Sequence, residues 1–312
     1  MKGKLEEHEI RSIVDRVSVI YGDSFSHSII DDNNLMLTSL NGNTLFFDTT
    51  GTLLGTYKYA SSKRDYRGNF GYYLVENGGL YGATLSNGVL TIPCIYRDTF
   101  TLSSGRAVVS PVGTCLYGLI DYKNESLIDP MYAKLVLLGH NQYKAHIRNW
   151  GWGIIDKDNN VLLDFGYQVI QSTLGSLVKI KGDDSSGVYS LLSKNKLISK
   201  ITTVKHLWGD YFYIVDMANK TPQGYIIDQN TLDIMKSITL NHTITVGAGA
   251  WNKKCIVCNK TERYSHFGVL DEEFNQLYPF KYGKERAIDL ATEYCFNKAE
   301  YSIPDKNYEE GT

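Results

Sequence analysis

The chain has 312 residues, of which 43% are hydrophobic and 21% charged, and its 32 basic and 34 acidic residues give a formal net charge of -2. This composition provides enough apolar surface for a folded core and excludes general disorder. The balanced charge argues against a nucleic-acid partner. No apolar run reaches the roughly 18 residues of a membrane span, so we expect no membrane partner either.

The first predicted element is an amphipathic helix over residues 4–20. Its apolar residues recur at helical spacing, and acidic residues stand near its start, where the helix dipole favours them. We assign residues 1–39 to this helix and a connecting segment. The N-terminus lacks the apolar stretch of a secretory signal, which predicts a cytoplasmic protein, or a virion component if the chain is phage-encoded.

An internal repeat occupies residues 40–283. Its mark is an aromatic residue followed by glycine, an apolar step and often an aspartate, as in Tyr81-Gly82, Tyr117-Gly118, Trp152-Gly153 and Phe267-Gly268. Weaker copies lie at Ser186-Gly187 and Gly224-Tyr225, and Leu45 begins a degenerate first copy. The glycine-equivalent positions are 45, 82, 118, 153, 187, 225 and 268.

A second feature repeats in the same register. A tyrosine follows the glycine-equivalent position by fourteen residues in five units, at Tyr59, Tyr96, Tyr132, Tyr167 and Tyr282. A proline often stands just before it. Two features that coincide at one period indicate a true repeat, which overrides the two domains suggested by the length alone.

Each unit has the pattern of a β-meander of about three short strands and a connection. In the third clear unit, residues 143–148 alternate in polarity, Asn149-Trp150-Gly151 forms a turn, and 152–156 is the next strand. Asp158-Asn159-Asn160 is a second turn, because these residues tolerate left-handed backbone. One such unit cannot bury its apolar face alone, whereas stacked neighbours can.

This pattern resembles the WG repeat family, named for its Trp-Gly pair. The fullest match is residues 152–160, and the resemblance covers about residues 40–283. Only one unit has tryptophan before the glycine, and the units at Gly187 and Tyr225 hold Ile201 and Thr239 where the later tyrosine is expected. The resemblance implies a non-enzymatic repeat protein and supplies no catalytic residue.

The predicted fold is therefore all-β. It consists of about seven meander repeats, arranged as a propeller-like ring or an open superhelical stack, with short terminal helices. The second helix is predicted over residues 284–299, within a C-terminal segment 284–312 that ends in a mobile tail. Both helices are interpreted as caps on the array, and docking of a partner on one of them is the alternative.

No motif points to catalysis, a metal or a cofactor. Cys255 and Cys258 form a single CxxC in a predicted strand, where residues three apart face opposite sides, so we expect no zinc site. The Asp156-x-Asp158-x-Asn160 segment imitates half of a calcium loop but has Val161 where glycine is required. We predict that the protein is not an enzyme and needs no cofactor.

Aromatic residues outside the repeat positions are the best candidates for binding, because Tyr and Trp favour interfaces and sugar faces. We predict a non-catalytic module that binds a protein partner or forms a homo-oligomer within a larger assembly, such as a phage tail or head appendage. The alternatives are a carbohydrate-binding repeat protein and an enzyme with a site at an array end. The candidate partner-binding residues are Trp150, Trp208, Tyr211, Tyr213, Trp251 and Tyr264.

Overall fold

A computed structural model shows an all-β chain with one helix near each end. The structure describes residues 5–300 except 31–33, 66–69, 86–89, 174, 184, 208, 220–222, 240–255, 260–266 and 272–274. The chain divides into two compact units, residues 1–165 and 166–312. Neither helix, within these described residues, is long and apolar enough to cross a membrane.

The described strands form seven antiparallel sheets, each a meander in chain order. The first four sheets contain β1 (Phe25–Ile29), β2 (Leu35–Ser39), β3 (Thr44–Phe47) and β4 (Leu53–Tyr57); β5 (Tyr59–Asp65), β6 (Phe70–Asn77), β7 (Leu80–Leu85) and β8 (Leu90–Tyr96); β9 (Arg106–Val109), β10 (Tyr117–Asp121) and β11 (Ser126–Tyr132); and β12 (Lys134–Gly139), β13 (Gln142–Ile147), β14 (Gly151–Asp156) and β15 (Val161–Tyr167).

The remaining three sheets follow the same order. They contain β16 (Val169–Ser172), β17 (Leu177–Lys181), β18 (Ser186–Ser190) and β19 (Lys196–Ser199); β20 (Ile201–His206), β21 (Tyr211–Asp216), β22 (Gln223–Asp228) and β23 (Ile234–Thr239); and β24 (Ile256–Asn259), β25 (Phe267–Leu270) and β26 (Gln276–Tyr282). The predicted all-β array of meander repeats is confirmed.

Two parts of the predicted organisation need correction. Most units have four strands, because the segment expected as a connection pairs as the first strand of the next sheet, as β12 does with β13. Residues 25–29 and 35–39 form β1 and β2, which pair with each other, and β2 pairs with β3. They therefore belong to the first sheet and not to a connecting segment.

The helices begin and end close to their predicted limits. α1 spans Glu7–Tyr21 and ends at Gly22, whose φ of 63° is in the left-handed region that glycine adopts readily. Its apolar face packs on the first sheet, where Ile13 joins a core cluster with Leu35 and Leu45. α2 spans Lys284–Glu300. The segment 301–312, predicted to be a mobile tail, lies outside the described residues.

The repeated glycine lies opposite a wide β-bulge. In the third sheet Tyr117 pairs with Tyr132 and Leu119 pairs with Ile128, so residues 129–131 face Gly118 alone. A Cβ at position 118 would lie 2.4 Å from the Ile128 carbonyl oxygen, far inside contact distance. Only glycine allows this approach, and the proline of the repeat supplies a residue without an N–H at the interrupted ladder.

The same bulge is present in two further units that carry the aromatic-Gly pair and the later tyrosine. Gly82 faces residues 93–95, and Gly268 faces residues 279–281. In contrast, Gly187 pairs in continuous register with Ile198, and the unit at Tyr225 is continuous at the corresponding point. These two units lack the later tyrosine, and the first unit, which has Tyr59 but no glycine, is also continuous at Leu45. The bulge therefore accompanies the glycine and the tyrosine together.

The later tyrosine also joins neighbouring repeats. The Tyr96 hydroxyl donates to Oδ1 of Asn124 at 2.5 Å, and the Tyr132 hydroxyl donates to Oδ1 of Asn159 at 2.6 Å. Both asparagines lie in the turn between the last two strands of the next unit, with φ of 68° and 66°. The repeated tyrosine is therefore structural, because it ties each of these units to a turn of its successor.

Apolar cores form between neighbouring sheets, as expected for units that cannot bury their faces alone. Tyr72 and Ile92 of the second sheet pack in one cluster with Val109 of the third. The third sheet has three strands because its leading segment leaves the sheet and buries Phe100 and Leu102 in this cluster.

Candidate functional site

Trp150 lies at the tip of the hairpin that joins β13 and β14, and 69% of its surface is exposed. The turn is closed by the Trp150 N–H, which donates to the Ile147 carbonyl at 3.1 Å. Asn149 and Gly151 flank it with φ of 69° and 86°, the left-handed values that tight turns require. An exposed indole is thus carried by a regular hairpin and not by a long loop.

Trp152, two residues further along, has a different environment. Its ring meets the His146 ring edge to face, with centroids 5.0 Å apart, and the Lys144 Nζ lies 5.1 Å from its centroid. Cross-strand pairing places His146 directly opposite Trp152. The tryptophan of the Trp-Gly pair therefore packs within the sheet, whereas Trp150 projects beyond it.

The other sequence-predicted binding residues do not join Trp150 in one site. Tyr213 is fully buried, which corrects its prediction as a surface residue. It lies on β21, an inner strand with both faces covered, so the alternation of a half-buried strand does not apply to it. Tyr211 is half-buried at the start of the same strand. The remaining three, Trp208, Trp251 and Tyr264, lie outside the described residues.

Three other exposed apolar residues lie, like Trp150, in the connection that precedes the second-to-last strand of a sheet. We call the four together the hairpin-tip residues: Leu40, Val112, Trp150 and Met217, with exposures of 94%, 59%, 69% and 43%. Sequence reasoning missed Leu40, Val112 and Met217. The available signal was an apolar residue in a turn that precedes the aromatic-Gly position, where polar residues are usual.

The turn aspartates have a structural role. Oδ1 of Asp156 accepts the N–H groups of Asp158 and Asn160 at 2.9 and 2.8 Å, and its Oδ2 accepts the Asn160 side-chain amide at 2.9 Å. Asp121 accepts two turn N–H groups in the same way. The calcium-like spacing of Asp156, Asp158 and Asn160 is therefore explained by the aspartate capping the turn. Across the described part of the chain, no three His, Cys, Asp or Glu side chains gather as a metal site.

The structure describes only one cysteine of the CxxC motif. Cys258 lies on β24, where it pairs with Gly268, and Cys255 lies outside the described residues. The cysteines that are described with their side chains, Cys94 and Cys115, are free thiols.

Comparison with known sequences supports the repeat. The family model for the WG containing repeat matches residues 152–173, the unit with the fullest Trp-Gly pattern. No curated protein matches the chain in sequence.

Solved structures resemble the chain only distantly. Dihydro-heme d1 dehydrogenase NirN matches at 13% identity and a TM-score of 0.30, covering 85% of this chain and 68% of its own. Hsv2 of Kluyveromyces lactis matches at 9% identity and a TM-score of 0.32, covering 80% and 91%. The Cps50 (Swd1) β-propeller domain of Myceliophteria thermophila matches at 10% identity and a TM-score of 0.28, covering 77% and 93%.

These comparisons support the repeat pattern alone. The distant structural matches identify no function. The family match falls on the unit that contains Trp152. The expected resemblance is confirmed there: residues 152–173 match the model of the WG containing repeat.

Proposed function

We propose that this chain is a non-catalytic protein-interaction module that contacts its partner through the hairpin-tip residues of its first compact unit, Leu40, Val112 and Trp150, with Trp150 as the main anchor. The observation that carries the proposal is the exposed indole of Trp150 on a well-defined hairpin. Tryptophan is enriched among the residues that dominate binding energy at protein interfaces. The exposed indole of Trp150 adds little to the core, and its flat apolar face with one N–H donor suits a protein interface, so we assign it to binding.

The partner is proposed to be another protein of a larger assembly or a second copy of this chain. A phage tail or head appendage is one version of such an assembly. Size-exclusion chromatography with light scattering separates self-association from binding of a different subunit. Catalysis at an array end is the competing proposal, and it requires an activity that a single His or Asp substitution abolishes.

The test compares three immobilised proteins in a native lysate: wild type, Trp150→Ala and Val161→Ala. Val161 is a matched control, because it is an exposed apolar residue, 52% accessible, at the start of β15 in the same sheet. We expect wild type and Val161→Ala to retain the same protein in stoichiometric amount and Trp150→Ala to retain at least tenfold less. Equal retention by all three would refute the proposal.

Free glycans added to the capture distinguish the carbohydrate alternative. Release of the captured protein by glycans, or binding of the isolated chain to immobilised glycans that Trp150→Ala abolishes, would replace the protein-binding proposal. Retention that is unaffected by glycans is the result we expect.

A further inference from the structure

A groove of about 640 Å³ lies within the second unit, between the first strands of two neighbouring sheets. One wall is formed by residues 171–173, at the end of β16, and the other by residues 202–206 of β20. Lys179 of β17 lies between them. The volume is in the range of ligand-binding clefts, and its walls are mostly hydroxyl, amide and cationic side chains.

The groove has a positive charge. Lys179 is partly buried and its Nζ donates to the Thr202 carbonyl at 2.8 Å, while Lys205 is exposed along the other wall. Among the described residues that line the groove there is no carboxylate. Its described lining contains two lysines, Lys179 and Lys205, although the whole chain has a net charge of -2. This local excess attracts an anionic ligand.

The groove also presents strand edges. β16 and β20 each stand at one end of their sheet. The five consecutive residues 202–206 line the groove as the outer edge of β20, while its other edge pairs with β21. An edge strand offers backbone N–H and C=O groups to a further strand, and this is a common way for proteins to bind extended peptides.

We propose that this groove binds an acidic segment of a partner protein, extended along the edge of β20, with its carboxylates beside Lys179 and Lys205. A polypeptide fits both features, because its backbone pairs with the strand edge and its side chains meet the lysines. A nucleic acid would meet the lysines alone. This surface lies in the other compact unit from Trp150, so the inference goes beyond the proposed function and does not depend on it.

The test uses the full chain and five fluorescent probes. They are an octapeptide of alternating Glu and Val, its Lys-Val counterpart, the Glu-Val peptide N-methylated at alternate backbone positions in either of the two phases, and an eight-residue oligothymidylate. The variants are Lys205→Glu, Lys179→Gln and the control Lys196→Glu. Lys196 is exposed on β19, at the opposite end of the fifth sheet, and its substitution makes the same charge change as Lys205→Glu.

We expect the Glu-Val peptide to bind wild type and Lys196→Glu equally, and Lys205→Glu at least tenfold more weakly. Lys179→Gln should weaken binding about threefold or more, and raising the salt concentration should weaken it in wild type. N-methylation in one of the two phases should abolish binding. Circular dichroism establishes that each variant is folded.

Several results would overturn the inference. These are equal binding by Lys205→Glu and Lys196→Glu, undiminished binding of both N-methylated peptides, tighter binding of the oligothymidylate than of the peptide, or no binding at millimolar peptide. Trp150→Ala should bind the acidic peptide like wild type, so failure of this inference is distinguishable from failure of the hairpin-tip proposal.

Discussion

Replacement of Gly118 by alanine tests the structural basis of the repeat. The added Cβ would lie 2.4 Å from the Ile128 carbonyl oxygen and 2.9 Å from the Pro130 nitrogen, whereas ordinary contact begins at 3.4 Å. Both atoms are backbone, so the neighbouring strand must move by about 1 Å and lose ladder geometry at the bulge. We expect the free energy of unfolding to fall by about 3 kcal/mol.

Substitution of two further glycines tests whether the loss of stability depends on how close the added Cβ comes to its neighbours. At Gly153 the nearest backbone atom is 2.8 Å away and the next contact is the Phe165 ring, which can move, so we expect Gly153→Ala to cost about 1–2 kcal/mol. At Gly283 no atom lies within 4 Å of the added Cβ. Gly283→Ala is therefore the control, with an expected change within about 0.5 kcal/mol.

Thermal unfolding followed by circular dichroism measures this series. For Gly118→Ala we expect the Tm to fall by about 6–12 °C, from the usual relation between stability and Tm for a unit of this size. We predict that the Tm is highest for Gly283→Ala, lower for Gly153→Ala and lowest for Gly118→Ala. A Tm for Gly118→Ala equal to that of Gly283→Ala would show that the close approach at the bulge is not what requires glycine.

Two more predictions concern hydrogen bonding and pH. Tyr132→Phe removes the donor to Asn159 of the next repeat and should lower the free energy of unfolding by about 1 kcal/mol in urea titrations; unchanged stability would refute the inter-repeat role of the hydroxyl. Burial raises the pKa of Tyr57 and of Tyr189 to about 12, against about 10 in the unfolded chain, so their stabilising effect should be complete below pH 10 and lost between about pH 10 and 12. Hydrogen bonds, chiefly from the Thr50 hydroxyl, lower the pKa of Asp48, whose contribution should instead be lost as the pH falls below about 4; Tm values that stay flat across both ranges would contradict this.

The last two strands of each unit could be predicted because their signals are local. The aromatic-Gly pair, the turn aspartate and the later Pro and Tyr lie within about fifteen residues of one another, and each has its own physical role at the bulge or in the turn. The first strand of each sheet carries no such signal. β12, for example, is identified only by its pairing with β13, so the sequence pattern predicts a connection there.

The sequence also does not indicate which strands are buried on both faces. Tyr213 and Trp150 are both aromatic residues outside the repeat positions, yet one is fully buried and the other is mostly exposed. The difference comes from position: an inner strand is covered by sheets on both sides, whereas a hairpin tip extends past them. Residue type alone does not encode which strands become inner ones.

The charged groove also depends on tertiary packing that the sequence does not indicate. Lys179 and Lys205 are 26 residues apart in sequence, and the register of β17 and the packing of β20 bring them to one cleft. No motif connects them, so no reading of the sequence by local pattern would pair them.

The central claim, that Trp150 anchors a protein partner, is tested most directly by site-specific photo-crosslinking. A photoreactive phenylalanine analogue is placed at position 150 or at position 161, and each protein is illuminated in native lysate. We predict that position 150 crosslinks to one protein, identified by mass spectrometry, and that position 161 does not. Equal crosslinking from both positions, or no protein adduct at position 150, would contradict the claim.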